Sequence, residues 1–191
     1  AKYSGRRALT LPGEAYTTIF RGLPELLTLF IVFYGGQILL QRIVGLFTDA
    51  YVEVNQFIAG MVALGLVFAA FSGEVFLGAL RSIAAGQREA ALALGLTQHQ
   101  AMRLVIFPQL WRYALPGIAN LWLVLLKDTS LVSVIALNDL LRQTNIAVGA
   151  TKQPFFFYFV ACMIYLTMSV ISSIGIIAVE RWSTRGEVRR A

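Results

Sequence analysis

Apolar residues in this chain gather into four long stretches separated by short, charged ones. Leu26–Gln41, Val54–Gly73 and Gln153–Val179 contain no charged residue at all, and a fourth apolar segment follows Pro108. A hydrocarbon core of ~30 Å needs about 20 apolar residues in a helix. The pattern therefore predicts membrane spans over about 23–44, 55–80, 110–127 and 154–180. The last uncharged run is long enough to cross with some tilt. The predicted fold class is all-α, a polytopic membrane helix bundle. Residues 1–191 read as a single domain, without internal repeat, low-complexity tract or linker.

Between the second and third spans the periodicity changes. Ala84–Leu94 is rich in strong helix formers, and Gly95 follows where a left-handed residue would end a helix. Thr97 precedes Gln100 by the capping-box spacing, so a second short helix is predicted over Gln98–Phe107. Pro108 lacks an N–H and restricts Phe107, which predicts a stop or kink there, before the next span. Two short helices joined by a tight bend make a rigid part able to fit a groove on another subunit. Ala90 and Ala91 would allow close approach, Leu94 would be an apolar anchor, and Arg88 and Glu89 could pair with rim charges. The competing reading is an amphipathic connection lying on the membrane surface.

Composition agrees: 58% of residues are hydrophobic and 14% charged, where soluble domains carry roughly 25% charged residues. The net charge of +6 raises the question of nucleic acid, but the placement of the basic residues answers it. Lys2, Arg6, Arg7 and Arg21 lie before the first span; Arg81, Arg88, Arg103 and Arg112 flank the helix pair; Arg181, Arg185, Arg189 and Arg190 form the tail. Those twelve of the sixteen basic residues fall at span ends, a membrane-topology pattern rather than a phosphate-binding patch. Four spans put all three clusters on one side, which the positive-inside rule makes cytoplasmic, C-terminus included. No cleavable signal peptide is visible in the first 22 residues.

The stretch Glu89-Ala90-Ala91, three residues to Gly95, and nine more to Val105-Ile106-Phe107-Pro108 resembles the cytoplasmic signature of permease subunits of bacterial ATP-binding-cassette importers. Val105 and Phe107 stand where that signature has Ile and Leu, apolar for apolar. Arg21-Gly22-Leu23-Pro24-Glu25, Gly73-Glu74-Val75-Phe76 and Lys127-Asp128-Thr129-Ser130-Leu131-Val132-Ser133 resemble the polar amino-acid branch of the family, which takes in histidine, arginine, glutamine and opine carriers. The resemblance implies that the loop at about 81–109 carries a coupling helix, and that Arg88, Glu89, Ala90, Ala91, Leu94, Gly95 and Pro108 belong to it. It implies half of a translocation pathway for a polar or basic amino acid or an opine, in a multi-pass protein of the bacterial inner membrane. The implied partners are an ATP-binding subunit, a second permease subunit, a periplasmic or tethered substrate-binding protein, and membrane lipid. It also implies one more membrane helix upstream of Ala1.

Ionisable residues inside spans are costly and suggest function by default. Glu74 falls near the inner end of the second span and reads either as pathway or as helix–helix contact. Asp128 is expected near the outer third of the membrane, lining the pathway with Thr129 and Ser130, where it could meet a cationic substrate group. His99, the sole histidine, has no companion ligands and reads as solvated surface rather than a metal site. No glycine precedes a lysine, so no Walker loop exists, and no nucleophile set is plausible. The chain is therefore expected to be non-catalytic and to need no cofactor, with ATP hydrolysis in a separate subunit. The alternative is a stand-alone secondary transporter or channel subunit.

Overall fold

The computed structural model describes residues 7–184, which form helices and short connections. Lys2, Arg6, Arg185, Arg189 and Arg190, counted above as topology signals, lie outside the described residues. Helix α1 (Arg7–Gly22) is followed by α2 (Glu25–Phe30), a widened π turn and α3 (Gly36–Val44). Helix α4 (Gln56–Ser82) leads to α5 (Ala85–Ala93) and α6 (Gln98–Ala101). A second π turn, α7 (Phe107–Asp128) and a 3-10 segment (Thr129–Ile135) come next, then α8 (Leu140–Thr151) and α9 (Pro154–Thr184).

Among the described residues, four stretches are long and apolar enough to cross a membrane: Glu25–Val44, Gln56–Ser82, Gln98–Ile135 and Pro154–Arg181. Their buried shares are low, with only 6% of the most apolar window of Pro154–Arg181 buried. Side chains such as Phe155, Ile171 and Ile174 face outward at 64–86% exposure. Water would not tolerate an apolar surface on that scale, whereas lipid is as apolar as the side chains themselves.

Helix α1 was not anticipated from the sequence. It packs along α4: the Tyr16 hydroxyl donates to the Leu66 carbonyl at 2.6 Å, and Arg21 pairs with Glu74 at 3.5 Å. The Leu23-Pro24 junction breaks the chain before α2, because proline disfavours helical backbone in the residue before it.

Small residues set the spacing of the main helix pair. Among the described residues α4 and α7 make the most extensive contact, and a Cβ added to Gly117 would lie 2.6 Å from Val75 Cγ1. Only glycine fits there. A buried cluster of Leu29, Ala59, Ala63, Leu64, Val132 and Ile135 ties α2, α4 and the 3-10 segment together. The connection before α4 is held by two glutamines one turn apart. Gln37 bonds both Val52 O (2.8 Å) and Val54 N (2.7 Å), and Gln41 bonds Ala50 O and Val52 N. Asn55 then caps α4 through Ile58 N.

Candidate functional site

The bend between α4 and α7 is specified residue by residue. Ile83 and Ala84 are extended, so the chain leaves α4 and turns sharply into α5. At the other end of α5, Gly95 adopts φ +84°. Its N–H reaches the Leu92 carbonyl at 2.9 Å and the Leu96 N–H reaches the Ala91 carbonyl at 3.2 Å, the paired bonds of a Schellman cap. Thr97 starts α6 with a complete capping box: Gln100 N donates to Thr97 Oγ1 at 3.3 Å, and Thr97 N donates to Gln100 Oε1 at 2.9 Å. Arg88 Nη2 donates to Gln98 Oε1 at 3.0 Å, and Gln109 Nε2 to Gln87 Oε1 at 3.3 Å, so α5 is tied to both α6 and α7.

The two faces of α5 differ. Ala91 is buried, as are Ala101 and Ile106 on the elements α5 packs against. The close approach that Ala91 permits is therefore to this chain's own helices rather than outward, as had been expected. Arg88, Glu89 and Ala90 are exposed, and Leu94 stands 84% exposed at the tip of the bend. A cleft of about 330 Å³ opens beside the helix, lined by Arg88, Glu89 and Leu92 with Ile83, Met102 and Ile106. His99 is exposed.

Of the stop or kink expected at Pro108, the stop is not found. Gln98–Ile135 is one continuous helical stretch of 38 residues. A π turn, Met102–Ile106, widens the helix immediately before Pro108, and the ring takes the second position of α7. The wider turn accommodates both the missing N–H and the bulk of the ring, which in a regular α-helix would press on the carbonyl four residues back. The bend therefore continues without a break into α7.

A cavity of about 320 Å³ lies between the start of α2, the middle of α4 and the second half of α7. Its polar lining is Glu25, Asn120 and Asp128; Leu64, Phe68 and Phe71 are among its apolar walls. Asp128, Thr129 and Ser130, expected together along the pathway, and Glu74, read either as pathway or as helix–helix contact, have different surroundings. Asp128 faces this cavity. Thr129 lines a different one, because consecutive helical residues do not share a face, and its hydroxyl donates to Leu126 O at 2.7 Å. Ser130 is half-buried and lines neither. Glu74 sits in the α1–α4 contact, paired with Arg21, whose guanidinium carbon lies 5.7 Å from the centre of the Phe71 ring. Glu25 and Asn120 were not singled out as site residues. The available signals were an acid directly after a proline at the mouth of an apolar run, and a lone amide inside one.

The profile of the family described as "Binding-protein-dependent transport system inner membrane component" matches residues 2–184. The chain is 42% identical over 188 residues to the nopaline transport system permease protein of Agrobacterium fabrum, covering 97% of this chain and 80% of that protein. It is 38% identical over 190 residues to the histidine/lysine/arginine/ornithine transport system permease protein of Escherichia coli, covering 100% and 83%. It is also 38% identical over 187 residues to the arginine ABC transporter permease protein of Haemophilus influenzae, covering 98% and 83%. A crystal structure of an amino acid ABC transporter with histidines superimposes with a TM-score of 0.80 at 32% identity, over 94% of this chain and 79% of that one.

Proposed function

Because the chain belongs to the binding-protein-dependent transport system inner membrane components, we propose that it is the membrane-spanning subunit of an ATP-binding-cassette importer for a polar or basic amino acid or an opine. It forms one half of the translocation pathway, with a second permease subunit supplying the other. A substrate-binding protein delivers the cargo, and a separate ATP-binding subunit hydrolyses ATP. The α5–α6 bend and the C-terminus face the cytoplasm, where the basic residues Arg81, Arg88, Arg103 and Arg112 gather.

One observation carries the reading: a doubly capped, cross-braced helix bend that presents Leu94 outward and continues unbroken into the 38-residue helix. A bend held by a Schellman cap, a capping box and two side-chain links is stiff enough to transmit a push, and Leu94 with Arg88, Glu89 and Ala90 is the surface that receives it. Ala91 keeps α5 close on its own support. The push travels through Pro108 and α7 to the cavity at Asn120 and Asp128. There two carboxylates and an amide among apolar walls suit an amino acid carrying a cationic group.

A photo-crosslinking residue at position 94 tests this in the assembled complex. The expected product is a covalent adduct with the ATP-binding subunit, absent when the same residue is placed at 171 on α9. Lipid-only adducts from position 94 would sink the docking role.

A further inference from the structure

The Arg21-Gly22-Leu23-Pro24-Glu25 run and Glu74 take no part in the path from the bend to the Asp128 cavity, yet they meet beside that cavity. Arg21 Nη1 lies 3.5 Å from Glu74 Oε2, and the same guanidinium sits over the Phe71 ring, 5.7 Å from its centre. Phe71 is one turn from Glu74 on α4 and is a wall of the cavity. Glu25, one of the cavity's two carboxylates, stands four positions after Arg21 in the first turn of α2. Arg21 does not line the cavity itself. It reaches the lining twice, through the Phe71 ring and through the chain to Glu25.

Packing alone does not call for these charges. Helix α1 is already held on α4 by the Tyr16 hydroxyl, bonded to Leu66 O at 2.6 Å, and by the buried Thr17, whose methyl approaches Gly73. Ionisable side chains in a membrane span are costly and suggest function. A guanidinium can do what an apolar side chain cannot: donate to a carboxylate while its plane lies on an aromatic face. One group thus fixes α1, α4 and the Phe71 ring together. The joint between α1 and α2 gives that attachment its use. Leu23 N bonds back to Ile19 O, and Thr28 N bonds back to Pro24 O, so Glu25 follows directly on the break. Beyond the break Leu29 anchors α2 in the buried cluster with Ala59, Ala63 and Leu64; before it, Arg21 anchors the chain to Glu74. Glu25 is held between these two anchors.

We propose that Arg21 is a positioning residue for the cargo: bonded to Glu74 and laid on Phe71, it sets the Phe71 wall and the Glu25 carboxylate where a cationic amino acid meets them in the Asp128 cavity. The inference rests on the reading of that cavity as the place where the cargo's charge is met.

The test uses the assembled complex with Cys162→Ala and a reporter cysteine on the cavity wall, Val124→Cys. L-arginine is expected to slow modification of that cysteine by a thiosulfonate reagent, and the arginine concentration for half-protection is the quantity read. Arg21→Gln should raise it about fivefold, the scale of one lost cation–π contact. Phe71→Leu should raise it too, but the double variant should fall well short of the two losses combined, because Arg21 acts through the ring. Tyr16→Phe loosens α1 on α4 without touching the ion pair and should leave the value unchanged. Glu74→Gln breaks the pair from the α4 side if Arg21→Gln fails to assemble. An unchanged value without the pair, losses at 21 and 71 that simply add, or an equal loss in Tyr16→Phe would each overturn the positioning role. Absence of protection before any of these changes would instead remove the cargo cavity, and this inference with it. The adduct expected from position 94 tests the transport reading separately.

Discussion

Gly95 is where the bend is most exposed to a single change. Its φ of +84° is a conformation L-residues resist, while a Cβ placed there would meet nothing within 4 Å. Substitution should therefore act through the backbone alone, and the order of effects is fixed by left-handed tolerance rather than by size. Asn tolerates the left-handed region and should be mild. Ala loses about 1–2 kcal/mol there. Val, branched at Cβ, is a true outlier at positive φ and loses more. The cap's two bonds, Gly95 N to Leu92 O and Leu96 N to Ala91 O, offset about 0.5–1.5 kcal/mol each. With Ala, cost and gain are comparable, so α5 holds its seat part of the time; with Val the cap opens. Substrate-stimulated ATP hydrolysis of the assembled complex, with membrane insertion checked in parallel, should fall in the order Gly, Asn, Ala, Val. A ranking by side-chain volume, with Ala milder than Asn, would refute the cap argument. Full stimulation in the Val variant would remove α5 from the transmission path.

Three further outcomes are expected. Gly117→Ala places a methyl 2.6 Å from Val75 Cγ1, so thermal unfolding in detergent should show a loss of about 1–3 kcal/mol, recovered when Val75→Ala is added; an unchanged midpoint would mean that the α4–α7 contact is not tight. Asp128→Asn keeps shape but removes a charge from the Glu25–Asn120 cavity. The transport constant for a cationic amino acid should worsen roughly 10- to 150-fold, the equivalent of about 1.5–3 kcal/mol, with assembly intact; an unchanged constant would make the residue structural. In cells carrying Cys162→Ala, Asp49→Cys should react with an impermeant thiol reagent from outside and Gln98→Cys should not; efficient outside labelling at 98 would invert the orientation.

Span positions were legible because uncharged runs such as Val54–Gly73 and Gln153–Val179 leave no other home for their side chains. The bend was legible for a different reason: Gly95, Thr97 and Gln100 act through local backbone bonds whose spacing is fixed. What could not be read depends on distant packing. Pro108 signals a helix end only in a regular helix, and the π turn that accommodates it leaves no local mark. Helix α1 is polar on one side and carries Pro12 within it, and gains its place from contacts with Leu66 and Glu74 about fifty residues away. Ala91 looked like a residue for a partner because nothing in its neighbourhood announces that Ala101 and Ile106 fold over it. Asp128 drew attention as an intramembrane acid, but its companions Glu25 and Asn120 come from other elements or other turns, and only the assembled helices bring them together.

The central claim, that this chain carries an amino acid only when driven through its α5–α6 bend by an ATP-hydrolysing partner, is tested most directly in liposomes. The chain is reconstituted with its permease partner, with and without the ATP-binding subunit, and uptake of a labelled basic amino acid is followed in the presence of the binding protein. Accumulation against a gradient is expected only with the ATP-binding subunit and ATP both present. Uptake of the same size without that subunit, driven by an ion gradient or by the substrate gradient alone, would contradict it.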